Sequence, residues 1–217
     1  MVQYPFTKES SKAIESTLKN EGMVCFPTET IYGLGGNALS LKVVEKIFAL
    51  KKRPLEKSLS VLVDQEWLGK LAYWEDDKID RIIEDFWPGP LTLVLPARRE
   101  LPEFLKGPNQ TIALRWSSSS VVQEMIKLGE CPLIGTSANL SGMPSCSSSA
   151  EVVEQFGDQT PLLVDSGVLP ENPPTTLLDC TRTPFSFIRS GSIDQKILED
   201  YISVSYTHLT LPTTPYV

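Results

Sequence analysis

Histidine is the scarcest residue in this 217-residue sequence, because it occurs once, as His208. It lies in the segment 205–217, which is rich in threonine and proline and carries no Asp, Glu, Lys or Arg. This composition predicts that 205–217 is a non-native or disordered tail, and that residues 1–204 form a single domain. Without the tail, a Ser-His-Asp triad, a Cys-His dyad and a histidine-bound metal are all excluded.

Paired cysteines and long apolar runs are also missing. The four cysteines are far apart and form no C-x-x-C pair, so we expect neither a zinc knuckle nor a dense disulfide framework. No apolar run approaches the roughly 20 residues needed to cross a bilayer, and the N-terminus lacks the apolar core of a signal peptide. We therefore expect a cytoplasmic protein in a reducing compartment, with no membrane contact.

Positive charge is in deficit over the whole chain. The formal net charge is −7 and the pI is about 4.9. Such a protein repels polyanions at long range, so a site for an anionic ligand has to be local. The 41% of hydrophobic residues is enough for a sizeable core.

The apolar pattern predicts helices alternating with short strands. Helices are predicted over 10–20, 42–50, 78–86, 121–128 and 150–156. Strands are predicted over 23–26, 59–63, 91–95, 111–115, 133–136, 162–164, 176–179 and 185–189. The last three strands follow one another without helices between them, which indicates an α/β domain with a mixed sheet.

The glycine-rich stretch 27-PTETIYGLGGNA-38 follows the first of these strands. Its glycines are predicted to link that strand to the helix at 42–50. They could form a phosphate cradle, but neither G-x-G-x-x-G nor a P-loop is complete, and a plain tight turn is the alternative.

A basic cluster follows, with Lys51, Lys52, Arg53 and Lys57 within seven positions. The alternative to an anion site is a solvated helix end. Two further cations, Arg115 and Arg189, end predicted strands, and ligands of α/β sheets collect beyond the carboxyl ends of strands. We therefore expect several of these cations to converge on one anion. Ser137 and Asn139, in 135-GTSANLSG-142, either contribute polar groups there or belong to an ordinary turn.

The motifs PTETIYGLGGNA, KKRP, WPGPLTLVL, ALR and GTSANLSG occur in an order that resembles the YrdC-like domain of threonylcarbamoyl-AMP synthases, over about residues 10–195. The resemblance, to the short form of the family, implies a twisted mixed α/β sheet with flanking helices and a concave, positively lined cleft. It also implies synthesis of threonylcarbamoyl-AMP and pyrophosphate from L-threonine, bicarbonate and ATP with Mg2+. That reaction is the first step of the tRNA modification t6A, completed by a downstream transfer machinery. The oligomeric state stays open.

The resemblance also assigns roles to residues by position. It implies catalytic positions at Lys51, Arg53, Ser137 and Asn139. It implies phosphate contacts from Lys51, Arg53 and Arg189, and a nucleotide site with Thr111, Asn139 and Ser147. It also implies a threonine pocket with Thr30, Tyr32, Arg115, Ser137 and Thr175. No protein ligand for a metal is expected. Three departures from the family pattern occur: Lys57 and Leu62 stand where Asn and His are frequent, and Thr175-Thr176 stands where Ser-Thr is usual.

Two other functions stay open from the sequence. One is a module that binds double-stranded RNA or tRNA without catalysis, which the net charge of −7 disfavours. The other is a carbamoyl-adenylate former that uses carbamoyl phosphate, as the related domain of hydrogenase maturation proteins does. Dependence on threonine separates that enzyme from a threonylcarbamoyl-AMP synthase.

Overall fold

The computed structural model describes residues 1–54 and 57–203. Its helices are α1 (Lys8–Lys19), α2 (Leu41–Lys51), α3 (Gln65–Leu71), α4 (Asp77–Phe86), α5 (Ser120–Gly129), α6 (Ser149–Phe156) and α7 (Gln195–Ser203). Its strands are β1 (Val2–Gln3), β2 (Val24–Pro27), β3 (Tyr32–Gly35), β4 (Ser60–Leu62), β5 (Leu91–Pro96), β6 (Thr111–Arg115), β7 (Leu133–Ser137), β8 (Leu162–Asp165), β9 (Thr176–Asp179) and β10 (Ser186–Arg189). The predicted tail at 205–217, with His208, lies outside the described residues and stays a prediction.

Within the described ranges, the strands form one sheet in the order β1-β8-β2-β3-β7-β4-β6-β5-β9-β10. Parallel pairs, such as β4 with β6 and β5 with β9, alternate with antiparallel pairs, such as β3 with β7. The sheet is therefore mixed, as predicted, and the α/β class is confirmed.

One face of the sheet is packed against five helices. The strand residues on it alternate along the chain, as the two-residue period of a strand requires, and include Leu93 and Leu95 of β5 and Ile112 and Leu114 of β6. Their helical partners in the same buried cluster include Val43 and Ile47 of α2, Leu71 of α3, Ile82 of α4, Phe156 of α6 and Leu198 of α7. This face therefore carries the larger core.

The opposite face is only partly covered. Helices α1 and α5 pack over it with a second buried cluster that includes Ile14, Leu18, Val122 and Met125 of the helices and Val24, Leu133 and Val164 of the strands. The remaining part, over β4, β6, β5 and β9, forms the floor of a cleft. Five register partners cross this floor from strand to strand, namely Gly135, Ser60, Ala113, Val94 and Asp179. Because three of them are Gly, Ser and Ala, the floor leaves room for a ligand.

The glycine-rich stretch is a strand and not the predicted turn. Tyr32–Gly35 form β3, which pairs with β2 on one side and β7 on the other. A Cβ atom on Gly35 would lie 1.8 Å from the carbonyl oxygen of Ile134. Glycine is therefore required there for close approach of two strands, and the hypothesis of a phosphate cradle at this position is wrong.

The direction of the strands places the two strand-ending cations at the same edge of the sheet, as predicted, because β6 and β10, which end at Arg115 and Arg189, run in the same direction. Strand β6 is parallel to β4, which is antiparallel to β7, so the carboxyl ends of β6 and β7 point in opposite directions. Arg115 and Ser137 nevertheless line the same cleft. The site is therefore built on a face of the sheet rather than beyond one edge of it.

Candidate active site

The cleft has a volume of about 590 Å³ and brings together residues from most of the chain. Seven of the predicted site residues line it, namely Thr30, Arg53, Thr111, Arg115, Ser137, Thr175 and Arg189. Among the described lining residues there are four arginines, including Arg182, and one carboxylate, that of Asp179. The cleft is thus a local cationic site in an acidic protein, as the charge pattern predicted.

Arg115 lies at the centre of the first of two polar clusters, which we call the Arg115 cluster and which consists of Arg115, Glu29 and Ser117. Its Nη2 atom lies 2.6 Å from Glu29 Oε1, and Ser117 donates its hydroxyl proton to Glu29 Oε2 at 2.5 Å. The backbone N–H of Ser118 donates to Glu29 Oε1 at 3.3 Å. Arg115 Nε donates to the carbonyl of Gly89 at 3.4 Å. The turn 87-WPGP-90 therefore also positions this arginine.

The electrostatics of the Arg115 cluster favour an ion pair. Burial alone would raise the pKa of Glu29, but the Arg115 charge and the hydrogen bond from Ser117 outweigh it and hold that pKa below its ordinary value. Arg115 is only 8% exposed, and none of the N–H bonds of its Nη2 points at an acceptor among the described residues. A buried donor without an acceptor is costly, so this nitrogen is suited to an oxygen atom of a ligand.

Lys51 lies at the centre of the second cluster, the Lys51 cluster, which consists of Lys51, Arg53, Ser137 and Asn139. Lys51 is 1% exposed, and its Nζ donates to the backbone oxygens of Ser137 and, at 2.6 Å, of Asn139. A longer contact of 3.4 Å reaches Asn139 Oδ1. The backbone N–H of Ser141 donates to the Lys51 carbonyl at 2.9 Å. Lys51 therefore fixes the loop after β7, and its ammonium group does not line the cleft.

The charge of Lys51 is maintained at some cost. Burial, and then the neighbouring charge of Arg53, lower the pKa of Lys51 to about 8. Arg53 lines the cleft and donates to the backbone oxygens of Lys57, at 3.2 Å, and Ser58, at 2.8 Å. Within 1–54 and 57–203, no carboxylate forms an ion pair with Lys51 or Arg53. The described part of this cluster is therefore positive.

Arg189 is held by the backbone and side chain of Thr175. Its Nε and Nη2 atoms donate to Thr175 O at 3.1 and 2.9 Å, and Nη2 also donates to Thr175 Oγ1 at 2.8 Å. Thr175 Oγ1 lies 3.1 Å from Thr92 Oγ1. Burial and the charge of Arg115 lower the pKa of Arg189. The proximity of these two arginines indicates that the cleft concentrates positive potential.

Four predicted site residues have side chains that do not line the cleft. Besides Lys51, Asn139 is 7% exposed and donates to the carbonyls of Leu140 and Met143. Ser147 donates its hydroxyl proton to Glu151, so its assignment to the nucleotide site stays a prediction. Tyr32 is fully buried in the core of the opposite face and donates to Gly167 O at 3.0 Å. The Tyr32 side chain does not line the cleft, and its assignment to the threonine pocket stays a prediction.

Two of the departures from the family pattern, Lys57 and Leu62, lie in different surroundings. Lys57 is exposed, and its carbonyl oxygen accepts a hydrogen bond from Arg53. Leu62 is 2% exposed, and a Cβ atom added to Gly135 would lie 2.6 Å from its Cγ atom. Leu62 therefore fills the floor beside Gly135 with an apolar group.

Sequence reasoning missed several polar groups of the site. Glu29 lies inside the quoted stretch 27-PTETIYGLGGNA-38, but its partner Arg115 is distant in the chain. Asp179 and Arg182 line the cleft at and after the end of β9. Asp179 Oδ1 accepts two hydrogen bonds from Thr181, which fix its orientation. Asp179 could have been found from the sequence, because it is an acidic residue at the end of a predicted strand.

The described residues contain no group of three or more His, Cys, Asp or Glu side chains that could hold a metal ion. Within the same residues, no helix is long and apolar enough to span a membrane. The fold and the cleft together define an α/β protein with a cationic cleft on one face of a mixed sheet.

Comparison with known proteins identifies the family. The family model Sua5_yciO_yrdC, described as "Telomere recombination", matches residues 16–191. A threonylcarbamoyl-AMP synthase from Pyrococcus abyssi is 35% identical over 187 residues, which are 86% of this chain and 55% of the relative. One from Photorhabdus laumondii is 38% identical over 165 residues, 72% of this chain and 86% of the relative. The chain therefore belongs to the Sua5/YciO/YrdC family.

A solved structure agrees with this assignment. The crystal structure of P. abyssi Sua5 complexed with L-threonine superposes with a TM-score of 0.87 at 32% identity, over 93% of this chain and 60% of that one. The chain thus spans little more than half of the P. abyssi relative but most of the Photorhabdus one. The family resemblance seen in the sequence is confirmed.

Proposed function

We propose that this chain is a threonylcarbamoyl-AMP synthase, which converts L-threonine, bicarbonate and ATP into threonylcarbamoyl-AMP and pyrophosphate. The observation that carries the proposal is the pair of unlike polar clusters at one cleft. A neutralised arginine suits the zwitterionic amino acid, and cations without a carboxylate partner among the described residues suit the triphosphate. Relatives that carry this name, and the threonine complex of P. abyssi Sua5, support it.

The Arg115 cluster would hold the amino acid. The buried Nη2 of Arg115 lies 2.6 Å from Glu29 Oε1 but makes no aligned hydrogen bond among the described residues, so it would donate to one carboxylate oxygen of threonine. The hydroxyls of Thr30 and Thr175 are buried at the same cleft and offer hydrogen bonds to the polar groups of the substrate. These contacts would fix the amine for reaction.

The chemistry then needs no protein nucleophile. The amine of threonine and bicarbonate form an N-carbamate with loss of water. A carbamate oxygen attacks the α-phosphorus of ATP, a new P–O bond forms, and the bond from the α-phosphorus to the bridging oxygen breaks. Pyrophosphate leaves with that electron pair. Arg53 and Arg189, with the loop held by Lys51, would stabilise the negative charge on the phosphates.

Mg2+ would enter as part of the substrate Mg-ATP. Asp179 is the only carboxylate among the described residues that line the cleft, and one carboxylate with four arginines is a poor donor set for a resident ion. The residues of the cleft therefore do not fit a protein-held metal ion. The phosphates and water would supply the ligands of Mg2+.

The proposal is tested by incubating the protein with labelled bicarbonate, L-threonine and Mg-ATP and separating the products by chromatography. We expect labelled threonylcarbamoyl-AMP and one equivalent of pyrophosphate, both dependent on threonine. Product formed from carbamoyl phosphate without threonine would instead indicate the hydrogenase-maturation type of chemistry. Stabilisation by RNA but not by ATP with threonine in a thermal shift assay would indicate an RNA-binding module.

The wider context follows from the same proposal. The product would be consumed by a transfer machinery that modifies tRNA to t6A. We also propose a cytoplasmic location, because the four cysteines are free and buried, as in a protein from a reducing compartment.

A further inference from the structure

Glu29 is the acidic member of the Arg115 cluster, and the sequence assigned it no role. Its Oε1 atom lies 2.6 Å from Arg115 Nη2, and its Oε2 atom accepts from the Ser117 hydroxyl at 2.5 Å. Its backbone oxygen accepts from Asn172 Nδ2 at 3.0 Å. With the Ser118 N–H, which donates to Oε1, the residue is therefore fixed at four points around the arginine.

This pairing distinguishes Arg115 from the other cleft arginines. Among the ion pairs of the described residues, Arg115 has a carboxylate partner, whereas Arg53, Arg182 and Arg189 have none. An unpaired guanidinium group binds phosphate readily and in a bidentate way. A guanidinium group neutralised by a fixed carboxylate no longer offers a full positive charge to a dianion.

We infer that Glu29 is a specificity-determining positioning residue, which orients Arg115 and neutralises it so that this part of the cleft accepts a zwitterionic α-amino acid and rejects phosphate groups. The inference rests on the proposed function and names how the amino acid is selected beside a triphosphate. Without Glu29, the cleft would hold four unneutralised arginines, and phosphate would compete for the amino-acid site.

The sharpest test measures binding of L-threonine by calorimetry, with and without excess inorganic phosphate. For the wild type we expect phosphate to leave the Kd for threonine unchanged. For Glu29→Gln we expect the Kd to rise about 10- to 100-fold, the loss of one charge-assisted contact, and to rise further when phosphate is added. Glu29→Asp keeps the charge, so phosphate should not compete in that variant.

Matched controls separate this role from a structural one. Glu15→Gln makes the same chemical change in the exposed pair with Lys19 and should leave threonine binding unchanged. Ser117→Ala removes one support of Glu29 and should raise the Kd for threonine less than Glu29→Gln does. If Glu29→Gln fails to fold, Ser117→Ala decides the question, because the inference predicts a higher Kd for threonine in that variant and a purely structural role predicts no change.

Two outcomes overturn the inference. One is competition by phosphate in the wild type. The other is a Glu29→Gln variant in which the Kd for threonine, or its response to phosphate, equals that of the wild type. Failure of the proposed function is distinguishable, because a protein that binds threonine in a Glu29-dependent manner but forms no threonylcarbamoyl-AMP would refute the activity and leave the inference standing.

Discussion

The Arg115 cluster and the Lys51 cluster are both built around a buried cation, but they satisfy it differently. Arg115 is paired with a carboxylate through Nη2, and the N–H bonds of this nitrogen are not aligned with an acceptor among the described residues. Lys51 has no carboxylate partner among the described residues, and its ammonium protons go to backbone and amide oxygens. The charge of Arg115 is neutralised, but this side chain can still donate a hydrogen bond to a ligand. Lys51 keeps its charge, and its ammonium protons already have acceptors.

The difference shows how one acidic protein can place two unlike ligands side by side. Carbonyl oxygens stabilise an ammonium ion without cancelling its charge, so the positive potential of Lys51 remains available to phosphates nearby. A carboxylate cancels most of the field of its partner and leaves directed hydrogen bonds. We therefore expect substitutions in the two clusters to affect the two substrates separately.

Among these substitutions, Arg53→Ala is expected to show the largest difference between its effect on ATP and its effect on threonine. Arg53 lines the cleft beside the Lys51 cluster, so its loss removes a cation that would meet charge on the phosphates. The kcat/KM for ATP should fall by about 100- to 1,000-fold, as for other preorganised charge-stabilising groups. Release of pyrophosphate measures the rate, and calorimetry should give an unchanged Kd for threonine.

Lys52→Asn is the matched control for Arg53→Ala. Lys52 is an exposed cation next to Arg53, and its left-handed backbone, with φ 50°, is one that asparagine tolerates. This variant should keep the wild-type rate. If it lost as much activity as Arg53→Ala, general charge rather than the position of Arg53 would be responsible.

A second effect concerns the stability of the fold and distinguishes the Lys51 ammonium from an ordinary lysine. The pKa of Lys51 is about 8 in the fold and 10.5 when unperturbed, so between these values the unfolded chain holds a proton that the folded chain has released. The free energy of unfolding should therefore rise with pH through this window. Relative to Lys51→Met, the rise should amount to at most about 3 kcal/mol.

Urea unfolding of both proteins at pH 7.5, 9 and 10.5 gives this difference. Burial raises the pKa of Cys25 to about 12 and that of Cys146 to about 11, which acts in the opposite direction. Both thiols are present in both proteins, so most of their contribution cancels in the comparison. A difference that does not change with pH would mean that Lys51 titrates like a solvated lysine.

Much of the fold could be predicted from the sequence, because local pattern and long-range packing agree there. Strands β6 and β9 have the predicted bounds, and β6 alternates Ile112 and Leu114 of the core with polar or small residues of the cleft. Helix α3 was missed because seven residues hold too little periodic signal. Strand β3 was mistaken for a turn because the reason for its glycines, the Ile134 carbonyl, lies in a distant strand.

The candidate site was predictable to a smaller extent. Arg53, Arg115 and Arg189 were assigned to one cleft and do line it. What the sequence could not tell is which cation is paired, because the contacts of Arg115 with Glu29 and of Lys51 with Asn139 join parts of the chain that only the fold brings together. Burial separates Lys51 from Arg53, although one residue lies between them.

The smallest expected effect, that of Thr175→Val, tests whether the protein binds the two substrates independently. Thr175 anchors Arg189 through its hydroxyl group and contacts Thr92 in the same way. Thr175→Val keeps the shape and removes both hydrogen bonds, so we expect the Kd for threonine to rise about fivefold, the worth of roughly one hydrogen bond. The Kd for ATP should rise less, because the backbone carbonyl of residue 175 still accepts from Arg189.

Thr17→Val, in α1 and away from the cleft, is the control and should change neither constant. A larger change for ATP than for threonine would show that Thr175 acts mainly through Arg189 on the phosphates, and the division of the cleft into separate amino-acid and phosphate clusters would then have to be abandoned.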